Sequence, residues 1–193
     1  MDKKEILQIF DNTGALLNGH FQLTSGLHSP TYFQCALVLQ YPKYLEAFCR
    51  EIVEFYQEEG DTIDVVVAPA VGGIVVGQEV ARLLGVRSIF AERQNGQITL
   101  RRGFSIDPSE TVLILEDVIT TGGTVKELAE AIERIGAYVV GMACVVDRTG
   151  GNHKLEYPLY SIYSNKMVTY KPESCPLCKE GKEIYKPGSR NLS

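Results

Sequence analysis

Short, continuous apolar runs alternate with amphipathic helical patterns through the middle of the chain. The apolar runs, which predict strands, are DVVVA at 64–68, VRSIFA at 86–91, TVLILE at 111–116 and YVVGMACVVD at 138–147. One helical pattern reaches about residue 84, and KELAEAIERIGA at 126–137 forms another. Strands that are apolar at nearly every position are typical of a parallel sheet covered on both faces. We therefore predict an α/β fold whose central, mostly parallel sheet is flanked by helices.

The segments outside this alternation are less regular. KKEILQIF at 3–10 and PKYLEAFCREIVEFYQEE at 42–59 carry apolar residues at helical spacing, so both predict amphipathic helices. Between them, residues 20–39 mix turn residues with aromatics, which predicts irregular structure leading into an extended segment at about 32–37. Charged and flexible residues follow the strand at 86–91, and a tail rich in Pro, Gly, Lys and Cys begins at about residue 171.

Composition limits the classes of function. With 193 residues, 45% of them hydrophobic, the chain has the profile of one globular domain. Its net charge of −5 argues against a general nucleic-acid binder, and its apolar runs fall short of the roughly 20 residues that cross a bilayer. The N-terminal stretch MDKKEILQIFDNTG does not have the pattern of an export signal, and five cysteines are an odd number for a disulfide framework. We expect a cytoplasmic protein with free thiols that binds neither nucleic acid nor membranes.

The stretch LILEDVITTGGT at 113–124 carries the clearest chemical signal. Glu116 and Asp117 come at the end of a predicted strand, and ligands of open parallel sheets bind beyond such strand ends. The Thr/Gly turn at 120–124 precedes a helix predicted to begin near Val125, so its N–H groups and hydroxyls can hold a phosphate. The two carboxylates can accept hydrogen bonds from sugar hydroxyls or hold waters around a cation. This pattern predicts a site for a phosphorylated sugar; the alternative is a turn whose acids are solvated or cap the helix.

The same stretch resembles the phosphoribosyl-pyrophosphate motif of the type I phosphoribosyltransferases. Three others, FQLTSGLHSPTYFQ at 21–34, APAVGGIVVG at 68–77 and VVDRTGG at 145–151, resemble the orotate phosphoribosyltransferase family within that superfamily. The resemblance implies the type I fold in a single domain, residues 1–193, with a small N-terminal hood from about 1–40 and a C-terminal tail from about 171–193. It also implies transfer of the phosphoribosyl group from phosphoribosyl pyrophosphate to orotate, which gives orotidine monophosphate and pyrophosphate in the synthesis of UMP.

The resemblance assigns roles to individual residues. Glu116 and Asp117 would hold the ribose hydroxyls, Gly72 would let the backbone approach the pyrophosphate, and Arg93 would contact the pyrophosphate. With Glu116 and Asp117, Arg93 completes the catalytic set. Arg148 would pair with the orotate carboxylate, to which its planar guanidinium is suited. The donor would contact the whole motif: Glu116, Asp117, Val118, Ile119, Thr120, Thr121, Gly122, Gly123 and Thr124, with Thr120 also near orotate. Magnesium would be held mainly through substrate and water rather than by direct protein ligands, and the family implies a homodimer.

The chain departs from the family in its basic residues. Lysines common in the pyrophosphate loop and the N-terminal segment are replaced by Val71-Gly72 and Thr24. The family's Lys-rich mobile loop corresponds to ERQNGQITLRRGF at 92–104, which offers Arg93, Arg101 and Arg102 but no Lys or His. Two other functions remain open: a purine phosphoribosyltransferase, and a regulator that binds phosphoribosyl pyrophosphate without turnover. A tight strand-to-helix turn, with no ligand role, is the alternative explanation of the glycines at 72–73.

The cysteines and His28 have structural explanations. Cys35, Cys49 and Cys144 lie in apolar surroundings and are expected in the core. His28 is expected to be structural or solvated. CPLC at 175–178 has the spacing of half a zinc site, but zinc takes about four ligands and the sequence shows no second CxxC or His pair. Free thiols, a structural zinc site and a redox pair therefore all remain open for this motif.

Overall fold

A six-stranded sheet is the centre of the protein, whose computed structural model describes residues 1–187. Residues 188–193, which end the predicted tail, lie outside the described residues. The strands are β1 (Leu16–Gln22), β2 (His28–Phe33), β3 (Val65–Pro69), β4 (Arg87–Gln94), β5 (Gln97–Leu100), β6 (Thr111–Ile119), β7 (Tyr138–Asp147) and β8 (Leu159–Ser164). The helices are α1 (Lys3–Asn12), α2 (Ala36–Leu39), α3 (Pro42–Glu58), α4 (Gly73–Leu84), α5 (Gly123–Ile135) and α6 (Pro176–Lys179), with a 3-10 turn at Pro172–Ser174.

The strand order in the central sheet is β5-β4-β3-β6-β7-β8. All neighbouring pairs are parallel except β4 and β5. The structure therefore confirms the predicted α/β fold with a mostly parallel central sheet. β1 and β2 pair separately as an antiparallel hairpin, in the N-terminal region where a hood is expected. No helix among residues 1–187 combines the length and apolar character needed to span a bilayer.

Each face of the sheet has its own apolar core, as continuous apolar strands require. Val66 and Ala68 of β3 point to the face that packs α1, α3 and α4, whereas Val65 and Val67 point to the face that packs α5. All four are at most 1% exposed. Cys35, Cys49 and Cys144 are buried in these cores, as predicted. The two-sided burial fixes the strand register, because a shift of one residue would exchange the two faces.

Several segments differ from the sequence-based expectations. The flexible segment expected after residue 91 is instead a hairpin: β4 continues to Gln94, Asn95 and Gly96 turn the chain with φ of 50° and 84°, and β5 returns. Asn-Gly is a favoured pair for a two-residue hairpin turn. The extended segment expected at about 32–37 ends at Phe33, and α2 begins at Ala36 because Cys35 is already helical in φ and ψ.

Gly141 of β7 illustrates how closely α3 packs on the sheet. The hydroxyl of buried Tyr56 donates a 2.7 Å hydrogen bond to the carbonyl of Met142. A Cβ atom at Gly141 would lie 2.6 Å from that hydroxyl oxygen and 2.9 Å from a ring carbon. Only glycine leaves room for the tyrosine at this position.

We predict that Gly141→Ala lowers the free energy of unfolding by about 1–3 kcal/mol, because the added methyl group overpacks a rigid core contact. In a Tyr56→Phe background, which removes the closest atom, the same substitution should cost less. Urea unfolding of the two single variants and the double variant measures this coupling. Strictly additive costs would contradict the proposed contact.

Candidate active site

The two acids of the LILEDVITTGGT motif lie where β6 leaves the core. β6 pairs with β7 as far as Ile119. Glu116 and Asp117 therefore lie inside the strand, two to three residues before its last pair, and not after its end. Both residues are half-buried. Asp117 Oδ1 accepts a 2.9 Å hydrogen bond from the N–H of Val118, and Glu116 Oε1 accepts one of 3.1 Å from the N–H of Asp117. The strand therefore holds two carboxylates at the ligand-binding edge of the sheet.

The turn after β3 packs directly against these acids. A Cβ atom at Gly72 would lie 2.5 Å from the carboxylate atoms of Asp117, and one at Gly73 would lie 2.8 Å from the carbonyl oxygen of Leu115. Since real Cβ atoms do not approach so closely, only glycine lets α4 begin here. The backbone at Gly72 therefore lies directly against the Asp117 carboxylate, a contact that the sequence did not predict. Val71 beside them is exposed.

The turn between β6 and α5 borders a small concavity at the N-terminus of α5. Gly122 has a positive φ of 80°, which turns the chain so that α5 begins at Gly123, two residues before the predicted start. Thr120, Thr121 and Gly123 are exposed, and the N–H of Gly123 donates to Thr121 Oγ1 at 3.4 Å. A concavity of about 40 Å³ lies here. It is lined by Glu116, Val118, Ile119, Thr120, Thr121, Gly122, Gly123, Thr124 and Val125.

Arg148 is hydrogen-bonded to the last residue of β6. Its backbone N–H donates a 2.9 Å hydrogen bond to the carbonyl of Ile119, directly beside the Thr/Gly turn. The half-buried guanidinium donates from Nε to the sulfur of Met167 at 2.7 Å. Within residues 1–187 no carboxylate forms an ion pair with it. Burial lowers the pKa of Arg148, although a guanidinium stays charged in proteins.

Tyr32 of β2 completes this side of the site. Burial raises the pKa of its hydroxyl, the nearby charge of Arg148 opposes that rise, and Asp117 adds to it. The charges of Arg148 and Asp117 therefore both act on the Tyr32 hydroxyl. Sequence reasoning did not assign Tyr32 a role, although it occupies the Tyr/Phe position of the N-terminal motif. A half-buried cation with no anionic partner favours a negatively charged ligand group.

Two of the three arginines predicted on the pyrophosphate side form ion pairs within the chain. Arg93 forms an ion pair with Glu127 of α5, 2.8 Å between Nη2 and Oε2, and donates to the carbonyl of Gly96. Arg102 forms a two-point ion pair with Glu92, both contacts being 2.9 Å. Arg101 is exposed and has no ion pair within the described part of the chain. A pyrophosphate contact by Arg93 would therefore require release of Glu127.

Asp147, which sequence reasoning also left without a role, shapes the turn that carries Arg148. The residue is 2% exposed and its carboxylate accepts three hydrogen bonds. The donors are the N–H of Thr149 at 2.8 Å, the N–H of Gly151 at 2.9 Å and the hydroxyl of Ser164 at 2.7 Å. Burial raises the pKa of Asp147, but the polar groups of Thr149, Ser164 and Gly151 around the carboxylate outweigh burial, and the net pKa is lowered. The acid-Arg-Thr-Gly-Gly order is the signal that could have identified this anchor.

A larger cavity lies away from these residues. Its volume is about 620 Å³, and it lies between β5 and α5, lined by residues such as Ile98, Leu100 and Ile135. It contains none of the acids, the Thr/Gly turn or Arg148. We place the candidate site at the smaller concavity because the strand ends, the helix N-terminus and the charged residues meet there.

Comparisons with known proteins identify the family of the chain. A model of the phosphoribosyl transferase domain matches residues 40–175, which include the acids, the Thr/Gly turn and Arg148. The chain thus contains a phosphoribosyl transferase domain, and its fold is that of this class of protein. An orotate phosphoribosyltransferase of Chlorobaculum parvum is 56% identical over 191 residues, which cover 99% of this chain and 98% of that protein. The chain belongs to the orotate phosphoribosyltransferase family.

Solved structures with the same fold include phosphoribosyltransferases named for different bases. An orotate phosphoribosyltransferase from Aeropyrum pernix superposes with a TM-score of 0.72 at 20% identity, covering 83% of this chain and 94% of that chain. An adenine phosphoribosyltransferase from Rhodothermus marinus gives 0.67 at 22% identity, covering 84% and 100%. The fold alone therefore does not distinguish between an orotate and an adenine enzyme.

We predict that Asp147→Asn lowers the free energy of unfolding by about 2 kcal/mol at neutral pH, because it weakens charge-assisted hydrogen bonds. Since the folded pKa of Asp147 lies below its unfolded value, this stabilisation is present above about pH 4 and is lost as the pH falls through the folded pKa. Denaturant unfolding of both proteins between neutral and acid pH measures the difference. A stability difference that does not shrink on the acid side would contradict this role.

Proposed function

We propose that the chain transfers the phosphoribosyl group from phosphoribosyl pyrophosphate to orotate, yielding orotidine monophosphate and pyrophosphate in UMP synthesis. The observation that carries the choice of base is Arg148, a half-buried cation without a carboxylate partner in residues 1–187, tied through Ile119 to the phosphate-binding turn. Orotate carries a carboxylate that such a guanidinium can bind in two-point geometry. The full-length orotate relative supports the same substrate.

The Thr/Gly turn would hold the 5-phosphate of the donor. Thr120, Thr121 and the first residues of α5 line the concavity, and a helix N-terminus favours an anion. Glu116, Asp117, Val118, Ile119, Thr120, Thr121, Gly122, Gly123 and Thr124 are the donor-binding residues that we propose, together with Gly72 and Arg93. Glu116 and Asp117 would accept hydrogen bonds from the ribose hydroxyls.

Transfer breaks the bond between C1 of ribose and the pyrophosphate oxygen, which leaves with the electron pair, and forms a bond from C1 to a ring nitrogen of orotate. That nitrogen loses its proton, which passes to pyrophosphate or solvent. Positive charge develops on the ribose as pyrophosphate leaves. The two carboxylates at the end of β6 would stabilise that charge, and their attachment to a buried strand fixes them before reaction. Arg148, with Thr120 close by, would hold orotate on the side of the site that Tyr32 borders.

Magnesium is the metal that we propose for the donor complex. Oxygen ligands suit Mg²⁺, and Glu116 and Asp117 provide half-buried carboxylates that can bind the waters around it without being direct ligands. The ion would neutralise charge on the leaving pyrophosphate. Arg93 would assist once released from Glu127, as would the exposed Arg101. We also propose a homodimer and a cytoplasmic location; the five free cysteines support the latter.

Purified protein with phosphoribosyl pyrophosphate, Mg²⁺ and orotate should consume orotate, which is followed by its ultraviolet absorbance. Adenine and hypoxanthine in place of orotate should give no nucleotide. Adenine is the relevant alternative because adenine phosphoribosyltransferases share this fold. Turnover of adenine without turnover of orotate would overturn the proposal, and so would binding of the donor with turnover of no base.

We predict that Arg148→Ala raises the KM for orotate roughly 10- to 100-fold, since one charged two-point contact is lost. Affinity for phosphoribosyl pyrophosphate should stay within about twofold of the wild type, because the Thr/Gly turn is unchanged. Arg148→Lys should recover only part of the loss, as an ammonium lacks the planar fork. Steady-state kinetics with each substrate varied in turn measures both values; an equal loss for both substrates would contradict the assigned role.

Glu116→Gln and Asp117→Asn should each lower kcat by roughly 10²- to 10³-fold, because each removes a charge fixed beside the developing cation. Asp64→Asn is the matched control: Asp64 accepts a 2.8 Å hydrogen bond from the N–H of Thr111 at the opposite end of β6. The control should change stability but leave kcat within about twofold. A control variant as slow as the two site variants would show that the charge at the strand end is not the cause.

A further inference from the structure

Four side chains suited to zinc meet on the N-terminal hairpin, outside the proposed active site. They are His20 of β1, His28 of β2, Cys175 directly before α6, and Cys178 within α6. One ligand atom from each lies within 4.8 Å of all the others. His20, His28 and Cys175 are at most 3% exposed, and Cys178 lies at the exposed rim. The expectation that no histidine pair accompanies CPLC is therefore wrong in three dimensions, because the histidines come from the other end of the chain.

We propose that these residues bind one structural Zn²⁺ ion, with His20 Nε2, His28 Nδ1 and the two thiolate sulfurs as ligands. Binding replaces the two thiol protons, which pass to solvent, and no electron transfer is involved. All four positions of a tetrahedral ion would be filled by protein, which is the arrangement of structural rather than catalytic zinc. The proposal is independent of the proposed function.

Four of the six separations between ligand atoms are close to those around a tetrahedral ion. Usual Zn–N and Zn–S bond lengths put two nitrogen ligands about 3.3 Å apart and a nitrogen and a sulfur about 3.6 Å apart. Here His20 Nε2 and His28 Nδ1 are 2.9 Å apart. Cys175 Sγ and Cys178 Sγ lie 3.5 Å and 3.7 Å from His20 Nε2, and Cys178 Sγ lies 3.3 Å from His28 Nδ1. Movements of a few tenths of an ångström would bring the nitrogens to ideal separation.

The surroundings orient the ligands. His20 Nδ1 lies 2.9 Å from the carbonyl of Lys182, which can accept only from an N–H, so the proton sits on Nδ1 and the Nε2 lone pair faces the cluster. Zinc-binding histidines are commonly held in this way by a carbonyl. The tail is paired with the hairpin on both sides of the CxxC motif, through His28 with Tyr170 and Phe21 with Tyr185.

Two alternatives explain less of the geometry. A hydrogen bond between the histidines accounts for the 2.9 Å contact, but not for two sulfurs converging on the same nitrogen. A disulfide between Cys175 and Cys178 would account for the sulfurs, but not for the histidine lone pair directed at them. A shared ion accounts for all four groups at once.

The ion would fasten the C-terminal tail to the hairpin. That hairpin carries Tyr32, which borders the orotate side of the proposed active site, close to Arg148. We therefore expect removal of zinc to loosen the tail and the hairpin, and to affect the chemical site only through the position of β2.

The test measures zinc per chain by mass spectrometry of metals in full-length protein prepared with a reductant and Zn²⁺, then desalted. We expect about one Zn²⁺ per wild-type chain and less than about 0.1 in Cys178→Ser and His20→Gln. Cys49→Ala and His153→Gln are matched controls, because these residues lie outside the cluster, and both should retain about one ion.

Cobalt gives a second readout that does not depend on the variants folding. Wild-type protein loaded with Co²⁺ should show the intense visible bands of a tetrahedral site and the near-ultraviolet band of thiolate bonded to cobalt, and Zn²⁺ should abolish both. A chelator should lower the melting temperature of wild type but not of Cys178→Ser. The proposal is overturned if the reduced wild type holds less than about 0.1 Zn²⁺. It is equally overturned if both site variants bind as much as wild type, or if cobalt shows no thiolate band.

Discussion

The parallel pairing of β6 with β7 is the constraint on which the proposed site depends. Ile119 lies opposite Asp147 at the last pair of the ladder, and the next residue, Arg148, donates its N–H to Ile119. The Thr/Gly turn that we propose for the phosphate and the arginine that we propose for the base are therefore held by one hydrogen-bonded strand pair. Since both strands are buried on both faces, a slip of one residue would exchange the side chains that pack in the two cores. The separation between the donor and acceptor halves of the site is thus set by the core.

The glycines after β3 and the carboxylate of Asp147 shape the surroundings of the β6 and β7 strand ends. Gly72 allows a neighbouring turn to lie against Asp117, and Asp147 closes the loop that presents Arg148. The arginines proposed for the two sides of the site differ in their ion pairs. The arginine on the base side lacks an acid in the described chain, whereas Arg93 and Arg102 on the other side are paired with Glu127 and Glu92. In the site that we propose, the cation for the base would therefore be available before binding, whereas the pyrophosphate contacts would have to form on binding.

The sequence was sufficient for the fold and for the position of the acids, since both follow from local patterns: apolar runs, and a turn at a strand end. It was insufficient where distant segments meet. The Asn95-Gly96 pair is a local hairpin signal, although the surrounding charged residues lead to the prediction of a flexible segment. By contrast, nothing local connects His20 with Cys175, which are 155 positions apart and meet at 3.5 Å. The close approach of Gly72 to Asp117 has the same origin, because it depends on how β3 and β6 pair.

Hydrogen exchange of the full-length protein with ribose 5-phosphate, followed by mass spectrometry of peptides, tests the central claim most directly. The proposed site predicts slower exchange in peptides that span residues 118–126 when ribose 5-phosphate is bound, and no such change with ribose alone, because the turn binds the phosphate. Protection that appears instead at 97–100 and 127–135, around the larger cavity, would contradict the placement of the site. So would ribose 5-phosphate binding that leaves the turn at 120–124 unprotected.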